Sequence, residues 1–346
     1  MEVPHHQPNL ANLPATALDV ILEDVDLKTI QILRKVCHSL RSHIDNTTTQ
    51  INSDLNEVIV RAIPSGHLRM NVNTENEEYD IQYEQQEENC EVTFEENSKI
   101  IENEDFASMA ANDLGLILKH QKSEMGSFAL QFPRHPDRRA ECMSTYQGRF
   151  LTGLEPFLRS RRTLLSTFEL VMRGTNQQDL LLKILPYLDP ENLNRIEITT
   201  TKNTEKEPSP ILKTDEIVEL DQWKNAKELY TSLLKLDVPL ENFYHFSKAE
   251  FEIQSVSANE LTELKERILK DKKFEDFKIG YHQLKDKKKL LESFGRSFAG
   301  SSSAKRIWYH KFPIQKKRAL YIAWREKEKV FKFYSISLQN VPNNAF

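Results

Sequence analysis

The sequence predicts a fold of the α+β or α/β class, in which a small helical domain and a short antiparallel β-meander precede a strand–helix repeat. Three observations support this prediction. Apolar residues recur at helical spacing within the first fifty positions. They then alternate with polar residues over residues 51–97. In the second half, strand patterns alternate with helical patterns at a nearly constant spacing.

Length and composition predict a globular protein of more than one domain. The 346 residues are 39% hydrophobic and 29% charged, which is ordinary for soluble folds. No apolar run is long enough to span a membrane, and the first residues do not resemble a signal peptide. The three cysteines are far apart and form no CxxC pair. This predicts reduced thiols, no metal site, and a cytoplasmic or nuclear location.

Residues 9–48 are the predicted helical domain, behind a predicted disordered tail at residues 1–8. Apolar residues are spaced for one helix from Leu18 to Val25, and Asp26 is placed to cap a second helix. A domain this small cannot bury a large core alone. Two interpretations therefore remain: its apolar residues dock onto a partner, or the helices pack as a cap on the rest of the chain.

Three short motifs are the most specific feature of this domain. They are Leu13-Pro14, Val20-Ile21-Leu22, and Leu33-Arg34-Lys35-Val36-Cys37-His38-Ser39-Leu40-Arg41. Together they resemble an F-box, and the last is similar to the F-boxes of a large nematode group. The resemblance implies docking onto a Skp-type adaptor and, through it, a cullin. The implied interface, part of which must instead form the domain's own core, is Leu13, Pro14, Ile21, Leu22, Leu27, Ile30, Leu33, Val36, Cys37 and Leu40.

Residues 51–105 are predicted to form an acidic β-meander. Strand patterns at 58–60, 68–72, 79–83 and 92–94 are separated by turn residues. Thirteen acidic residues and one basic residue lie between 75 and 105, so the solvent face is expected to be acidic. Residues 106–149 are predicted to be a connection that contains a helix and a loop.

Residues 150–337 are the predicted target-binding domain. Apolar residues at offsets 0, 3 and 5 recur at Leu165, Leu193 and Phe274, and Phe251 and Ile253 keep the last two positions. Phe168 precedes Ile196 by 28 residues, and Phe251 precedes Phe277 by 26. A strand and a helix at this period predict a degenerate leucine-rich-repeat-like solenoid. Further units are predicted at 224–231 and from Ile307, and a terminal hairpin at 318–337. The competing interpretation is an ordinary α/β domain.

Four motifs in this region carry a second resemblance. They are Ile184-Leu-Pro-Tyr-Leu-Asp-Pro190, Leu193-x-x-Ile196-Glu-Ile198, Glu216-Ile-Val-Glu-Leu-Asp-Gln-Trp-Lys-Asn-Ala-Lys227 and His245-Phe246. They resemble the FTH domain, the F-box-associated region of the same nematode group. If the strands are parallel, outward positions lie between the apolar offsets. The predicted target-contact residues are therefore Glu169, Glu197, Glu252 and Lys278.

The sequence contains no recognisable catalytic or cofactor motif. It lacks GxGxxG, GxxxxGK, HExxH and GxSxG. Cys37 is predicted to be a buried apolar residue rather than a nucleophile, because its neighbour His38 would point about 100° away on a helix. We therefore predict no catalytic residue, no metal and no cofactor.

The predicted function is that of a noncatalytic substrate-recognition subunit of an SCF-type (Skp–cullin–F-box) E3 ubiquitin ligase. One alternative is a protein-interaction module without ligase function. Another is a nucleic-acid binder, because residues 265–332 hold twenty-one basic and eight acidic residues and include Trp308 and Tyr309. A solvated basic face explains these charges better, so a nucleic-acid partner is not favoured.

Overall fold

The computed structural model describes residues 10, 13–23, 25–46, 55–63, 66–119, 121, 123–132, 140–200, 208–298, 305–343 and 345, without the side chains of 27, 31, 35, 45, 46 and 140–145. The predicted tail at 1–8 lies outside these residues. The chain divides into two compact units. The first unit comprises residues 1–128, 144–167 and 187–189, and the second comprises 129–143, 168–186 and 190–346. Helices and sheets occur together, which confirms the predicted α+β character.

Three short helices begin the first unit: α1 (Ala15–Glu23), α2 (Leu27–Val36) and α3 (His38–Asn46). Asp26 caps α2 as predicted, because its Oδ1 accepts a hydrogen bond of 2.7 Å from the Thr29 N–H. This bond lowers the pKa of the Asp26 carboxyl group. The apolar stripe predicted to run on through Val36 and Leu40 is not one helix. The backbone is extended at Cys37, which separates α2 from α3.

An antiparallel sheet follows in the first unit, and its strands are neighbours in chain order. They are β1 (Leu55–Ile63), β2 (His67–Thr74), β3 (Glu78–Gln86), β4 (Asn89–Phe94) and β5 (Asn97–Ile101). The four predicted strands are confirmed. The edge strand β5 was not predicted, because its residues are almost all exposed and show no apolar alternation.

The helix α4 (Phe106–Leu118) packs against β2, β3 and β4. Asp105 caps it by accepting hydrogen bonds of 3.1 Å from the N–H groups of the second and third following residues. The buried Tyr83 hydroxyl donates to Asp113 Oδ2 at 2.9 Å. The strand β6 (Met125–Gln131) and the helix α5 (Ala140–Arg159) follow. The helix α5 was not predicted, and it crosses the predicted domain boundary at residue 150.

Gly115 lies where α4 approaches α5 most closely. A Cβ atom at this position would overlap the ring of Phe157. We expect Gly115→Ala to lower the free energy of unfolding by about 1–2 kcal/mol, because overpacking outweighs the gain in helix propensity. Urea denaturation measures this change. The matched control is Gly148→Ala on α5, where a Cβ atom would meet nothing within 4 Å. If both variants are equally stable, the close approach is not as described.

The second unit contains a mixed sheet. Its parallel part consists of β7 (Thr167–Arg173), β8 (Arg195–Thr199), β10 (Glu228–Ser232), β12 (Lys248–Ser257) and β13 (Asp276–Lys285). Its antiparallel part consists of β14 (Arg306–Lys311), β15 (Arg318–Arg325) and β16 (Val330–Ser337), and β16 pairs with β13. Two short strands, β9 (Ile211–Leu212) and β11 (Lys235–Leu236), pair beside β12. The predicted terminal hairpin is the β15–β16 pair.

Helical segments connect the parallel strands. They are α6 (Gln178–Leu181), α7 (Asp221–Asn225) and α8 (Ala258–Lys270), with single 3-10 turns at Leu185–Tyr187, Ile217–Glu219 and Leu240–Phe243. The helix α9 (Lys287–Phe294) follows β13, and a 3-10 turn at Leu338–Asn340 follows β16. The helix α8 begins with a capping box, in which the side chains of Ser257 and Glu260 each accept a hydrogen bond from the other's backbone N–H. No helix among the described residues is long and apolar enough to cross a membrane.

The strand register corrects the predicted repeat. The sequence pattern aligned Phe168 with Ile196 and Phe251 with Phe277, and both alignments are wrong by two residues. Paired positions in the sheet are 170, 196, 229, 249 and 277. They are separated by 26, 33, 20 and 28 residues, so the period is not constant. The unit predicted from Ile307 is also wrong, because β14 is antiparallel to its neighbour. Apolar and polar residues alternate along a strand with a period of two. A slip of two residues therefore keeps the same face apolar and cannot be detected from the sequence pattern.

The core of the second unit is centred on Trp223 of α7. Its ring packs edge-to-face against Phe246 at 5.3 Å and Phe243 at 5.9 Å. Its Nε1–H donates a hydrogen bond of 3.1 Å to the Asn242 carbonyl oxygen. Phe243 in turn stacks on Phe251 of β12 at 4.1 Å. The motif that resembles an FTH domain therefore supplies the aromatic core beneath the parallel strands.

His310 is a half-buried polar residue on the core face of β14. Its Nε2 has no hydrogen-bond partner among the described residues. Burial and the charge of Lys265 lower the pKa of His310 to about 4. The Lys265 ammonium group is itself largely buried and donates to the Ser293 carbonyl oxygen at 3.2 Å. His310 is therefore neutral in the folded protein at neutral pH.

This burial predicts an acid-sensitive fold. Between about pH 6.5 and pH 4 the unfolded chain binds a proton at His310 that the folded chain does not, so stability falls as the pH falls, by up to about 3 kcal/mol. We expect His310→Gln to remove this part of the pH dependence in urea denaturation at pH 7 and pH 4.5. The exposed His282→Gln serves as the control. An unchanged pH dependence in the His310 variant would contradict the prediction.

Candidate interaction surfaces

The three N-terminal helices enclose a small apolar core. Leu22, Ile30 and Ile44 form its buried cluster, and Val25 and Leu33 pack against it from the side. Each fully buried aliphatic side chain contributes about 1.5–3 kcal/mol. These residues therefore hold the domain together and are not available to a partner without unfolding it.

A second set of apolar residues on the same helices is exposed. Val20 and Val36 are each 63% exposed, Ile32 is 52% exposed, and Ile21 lies at the edge of this set. Ile32 and Val36 are one helical turn apart, so they share the face of α2 that points away from Ile30. The helix α2 thus has one apolar face that is buried in the domain and a second that is exposed. An exposed apolar face of this kind is expected where a helix binds another protein.

The structure thus separates the ten predicted adaptor-binding residues. Leu22, Ile30 and Leu40 are buried in the domain and Leu33 is partly buried, whereas Pro14, Ile21 and Val36 are exposed. Leu13 and Cys37 are half-buried, and the Leu27 side chain lies outside the described part. The sequence interpretation missed Val20 and Ile32. The sequence contained a signal for the exposure of Ile32, because a helical wheel of α2 places Ile32 opposite Ile30.

Cys37 differs from its predicted state. It is half-buried rather than buried, and its Sγ accepts a weak hydrogen bond of 3.5 Å from the Leu40 N–H at the start of α3. Its backbone position between two helices explains this, because the side chain points toward the first turn of α3. The free thiol therefore helps to begin a helix.

The N-terminal helices contact the meander within the first unit. Lys28 Nζ forms an ion pair of 2.8 Å with Glu95 and lies 5.9 Å from the centre of the Phe94 ring. Both charged side chains are largely exposed, so this pair adds little stability. Ile32 and Val36, further along the same helix, remain exposed.

The second candidate surface is the solvent face of the mixed sheet. The four predicted target-contact residues lie on this face and none is buried. Each lies near an oppositely charged side chain: Glu169 and Arg195, Glu197 and Arg173, Glu252 and Lys235, and Lys278 and Glu250. The first two pairs have N–O distances of 2.9 Å, and the third has 4.0 Å. The parallel part of this face is therefore an ion-pair ladder that satisfies its own charges.

Two features bear on other chemistry. Trp308 is only 2% exposed, so it cannot stack on a base, although Tyr309 faces outward as the strand period predicts. In the part of the chain that the structure describes, no group of three or more His, Cys, Asp or Glu side chains could hold a metal ion.

Comparisons with known proteins identify two domains in this chain. The F-box domain model matches residues 10–49, and the FTH domain model matches residues 148–297. Together they span more than half of the chain. F-box A protein 224 of Caenorhabditis elegans is 20% identical over 324 residues, which are 90% of this chain and 76% of that protein. No solved structure is matched. An F-box domain implies, in general terms, a substrate-adaptor role in ubiquitin ligase complexes. The chain is therefore an F-box protein with a C-terminal FTH domain, similar to an F-box protein of a nematode.

Proposed function

We propose that this chain is a noncatalytic substrate-recognition subunit of an SCF-type E3 ubiquitin ligase. The observation that supports the proposal most is the exposure of Val20, Ile21, Ile32 and Val36 on a domain of F-box type. Four large apolar side chains on about forty residues are costly to leave in water, and burial against a partner recovers that free energy. In our proposal a Skp-type adaptor covers them and links the chain to a cullin.

The proposed mechanism is proximity. The F-box fixes the adaptor, and the second unit holds a target protein so that target lysines stay near a ubiquitin-loaded enzyme. A high effective concentration provides the rate, so the receptor requires no nucleophile of its own. We further propose that the parallel strands act as a short, degenerate solenoid of the leucine-rich-repeat type, with connections of unequal length. Such a subunit would work in the cytoplasm or nucleus.

The test is a reconstitution with the full chain. The chain is co-expressed with a nematode Skp-type adaptor and a cullin, and complex formation is followed by size-exclusion chromatography. We expect co-elution in equal amounts, and loss of co-elution for a chain without residues 1–50. Affinity purification with mass spectrometry, compared between the same two chains, then identifies clients that depend on the F-box. Failure of the full chain to retain the adaptor would rule out the proposal. Adaptor binding without any ubiquitylated client would favour an interaction module outside the ligase.

A further inference from the structure

A row of tyrosines crosses the antiparallel part of the sheet. Tyr309 pairs with Tyr321, and Tyr321 pairs with Tyr334, on three adjacent strands. Their ring centres are 5.5 Å and 6.0 Å apart. Phe298 extends this tyrosine row, with its ring 5.6 Å from Tyr309. All four residues are partly exposed, and all lie beyond residue 297, where the FTH match ends.

The phenol groups of the tyrosine row are available for hydrogen bonding. Among the described residues, none of the three hydroxyl groups forms a hydrogen bond. Burial raises the pKa of Tyr309 and Tyr334, so both phenols stay protonated at neutral pH. Tyrosine offers a large apolar area and a polar tip at a low cost in conformational entropy, which is why it is enriched at protein-binding surfaces.

The charges beside the tyrosine row are mainly positive. Lys305 Nζ lies 5.6 Å from the Tyr321 ring centre, and Lys278 and Lys332 are directly opposite each other on β13 and β16. Lys278 has Glu250 as its partner. Lys332 has no acidic partner among the described residues. Like charges directly opposite on adjacent strands are destabilising, and an added carboxylate would relieve this repulsion.

Acidic groups also lie near Tyr334. Asp276 is opposite Tyr334, and burial raises the pKa of its carboxyl group. The parallel part differs, because Glu169 and Glu197 there each have an arginine within 4 Å. Lys332, on the antiparallel strand β16, is therefore a lysine beside the tyrosine row that has no acidic partner among the described residues.

We propose that the tyrosine row, with Lys332, Lys278 and Lys305, binds an extended acidic segment of the target protein. This inference rests on the proposed function, because the target is what an F-box subunit recruits. The tyrosine rings supply apolar contact and hydrogen bonds along the segment, and the lysines select its carboxylates. Of the four predicted contact residues, Lys278 belongs to this site, and Glu169, Glu197 and Glu252 form its flank.

A single-stranded nucleic acid is a different occupant and is less well matched. Base stacking needs open ring faces. Tyr309 and Tyr321 pack against each other at an interplanar angle of 63°, and Trp308 is buried in the core. Lys305 also lies over the Tyr321 ring, so the neighbours of Tyr321 already occupy part of its ring face.

A display experiment with the full chain tests the proposal. A random dodecapeptide library is selected on the purified protein, and an enriched peptide is synthesised with a fluorescent label for anisotropy titration. We expect enriched peptides to contain more Asp and Glu than the unselected library. Lys332→Glu and Tyr321→Ala should each weaken the binding of the selected peptide by about tenfold or more. Lys288→Glu makes the same charge change on exposed α9 and should alter affinity by less than about twofold.

Three results would overturn the inference. The first is enrichment without an acidic excess. The second is that the Lys332→Glu and Tyr321→Ala variants bind the selected peptide as tightly as the unchanged chain does. The third is a twelve-nucleotide oligothymidylate that binds more tightly than the peptide and displaces it. Adaptor co-elution is measured for every variant. If the adaptor is retained while peptide recognition fails, the tyrosine row is not the target site and the proposed ligase role stands. If the unchanged chain loses the adaptor, the ligase role fails independently.

Discussion

Replacement of Ile32 and Val36 together by aspartate is expected to weaken Skp-type adaptor binding by about 100-fold or more, while the N-terminal helices remain folded. Both side chains are exposed in the free chain, so the substitutions cost little stability there. In a complex, each carboxylate would be removed from water without a partner, which costs several kcal/mol. Isothermal titration calorimetry measures the affinity, and circular dichroism follows the helices.

The matched control places the same substitution on isoleucines outside the F-box. Ile100 and Ile314 are 58% and 57% exposed, and Ile100→Asp with Ile314→Asp should leave adaptor affinity within about twofold of the unchanged chain. Leu40→Asp is not a useful test, because Leu40 is buried and a buried carboxylate would unfold the domain. Unchanged adaptor affinity in the Ile32 and Val36 variant would show that this face of α2 is not the docking surface.

Trp223→Ala is expected to lower the free energy of unfolding of the second unit by about 3–5 kcal/mol. The substitution removes the ring on which Phe243 and Phe246 pack, and it leaves the Asn242 carbonyl oxygen without its donor. Urea denaturation followed by far-ultraviolet circular dichroism measures the loss. The variant should also reduce recruitment of any target that depends on the second unit.

Trp223→Phe separates the two contributions of this residue. It keeps an aromatic ring in the cluster but removes the N–H donor, so a smaller loss of about 1–3 kcal/mol is expected. Adaptor binding should survive in both variants, since the F-box lies in the first unit. Equal stability of the alanine variant and the unchanged chain would contradict the central place of Trp223 in the core.

Local interactions were the most predictable part of this fold. Asp26, Asp105 and Ser257 each lie immediately before an apolar helix, and each accepts the backbone hydrogen bond expected of a cap. The β15–β16 hairpin followed from alternation on both sides of a charged turn. Such features depend on residues only a few positions apart, so the sequence alone determines them.

Features that depend on distant residues were less predictable. The sequence did not distinguish Leu22 and Leu40, which are buried, from Ile21 and Val36, which are exposed, because all four fit a helical apolar pattern. The slip of two residues in the repeat has the same origin, since a strand that slips by two keeps its apolar face inward. The tyrosine row depends on the register of three strands, which the sequence pattern does not determine. The pairing of Tyr321 with Tyr334 alone could have been predicted, because the turn of a hairpin sets its register.

The connections between the parallel strands differ in length, and this affects which sequence changes the fold can tolerate. Paired positions lie between 20 and 33 residues apart, yet the outward positions still align across the sheet. Insertions in a connection leave this alignment intact, whereas one residue inserted within a strand would turn charged side chains into the core. Related chains can therefore vary widely in length and still present a given set of side chains, so that a new surface requires only point substitutions on a preserved scaffold.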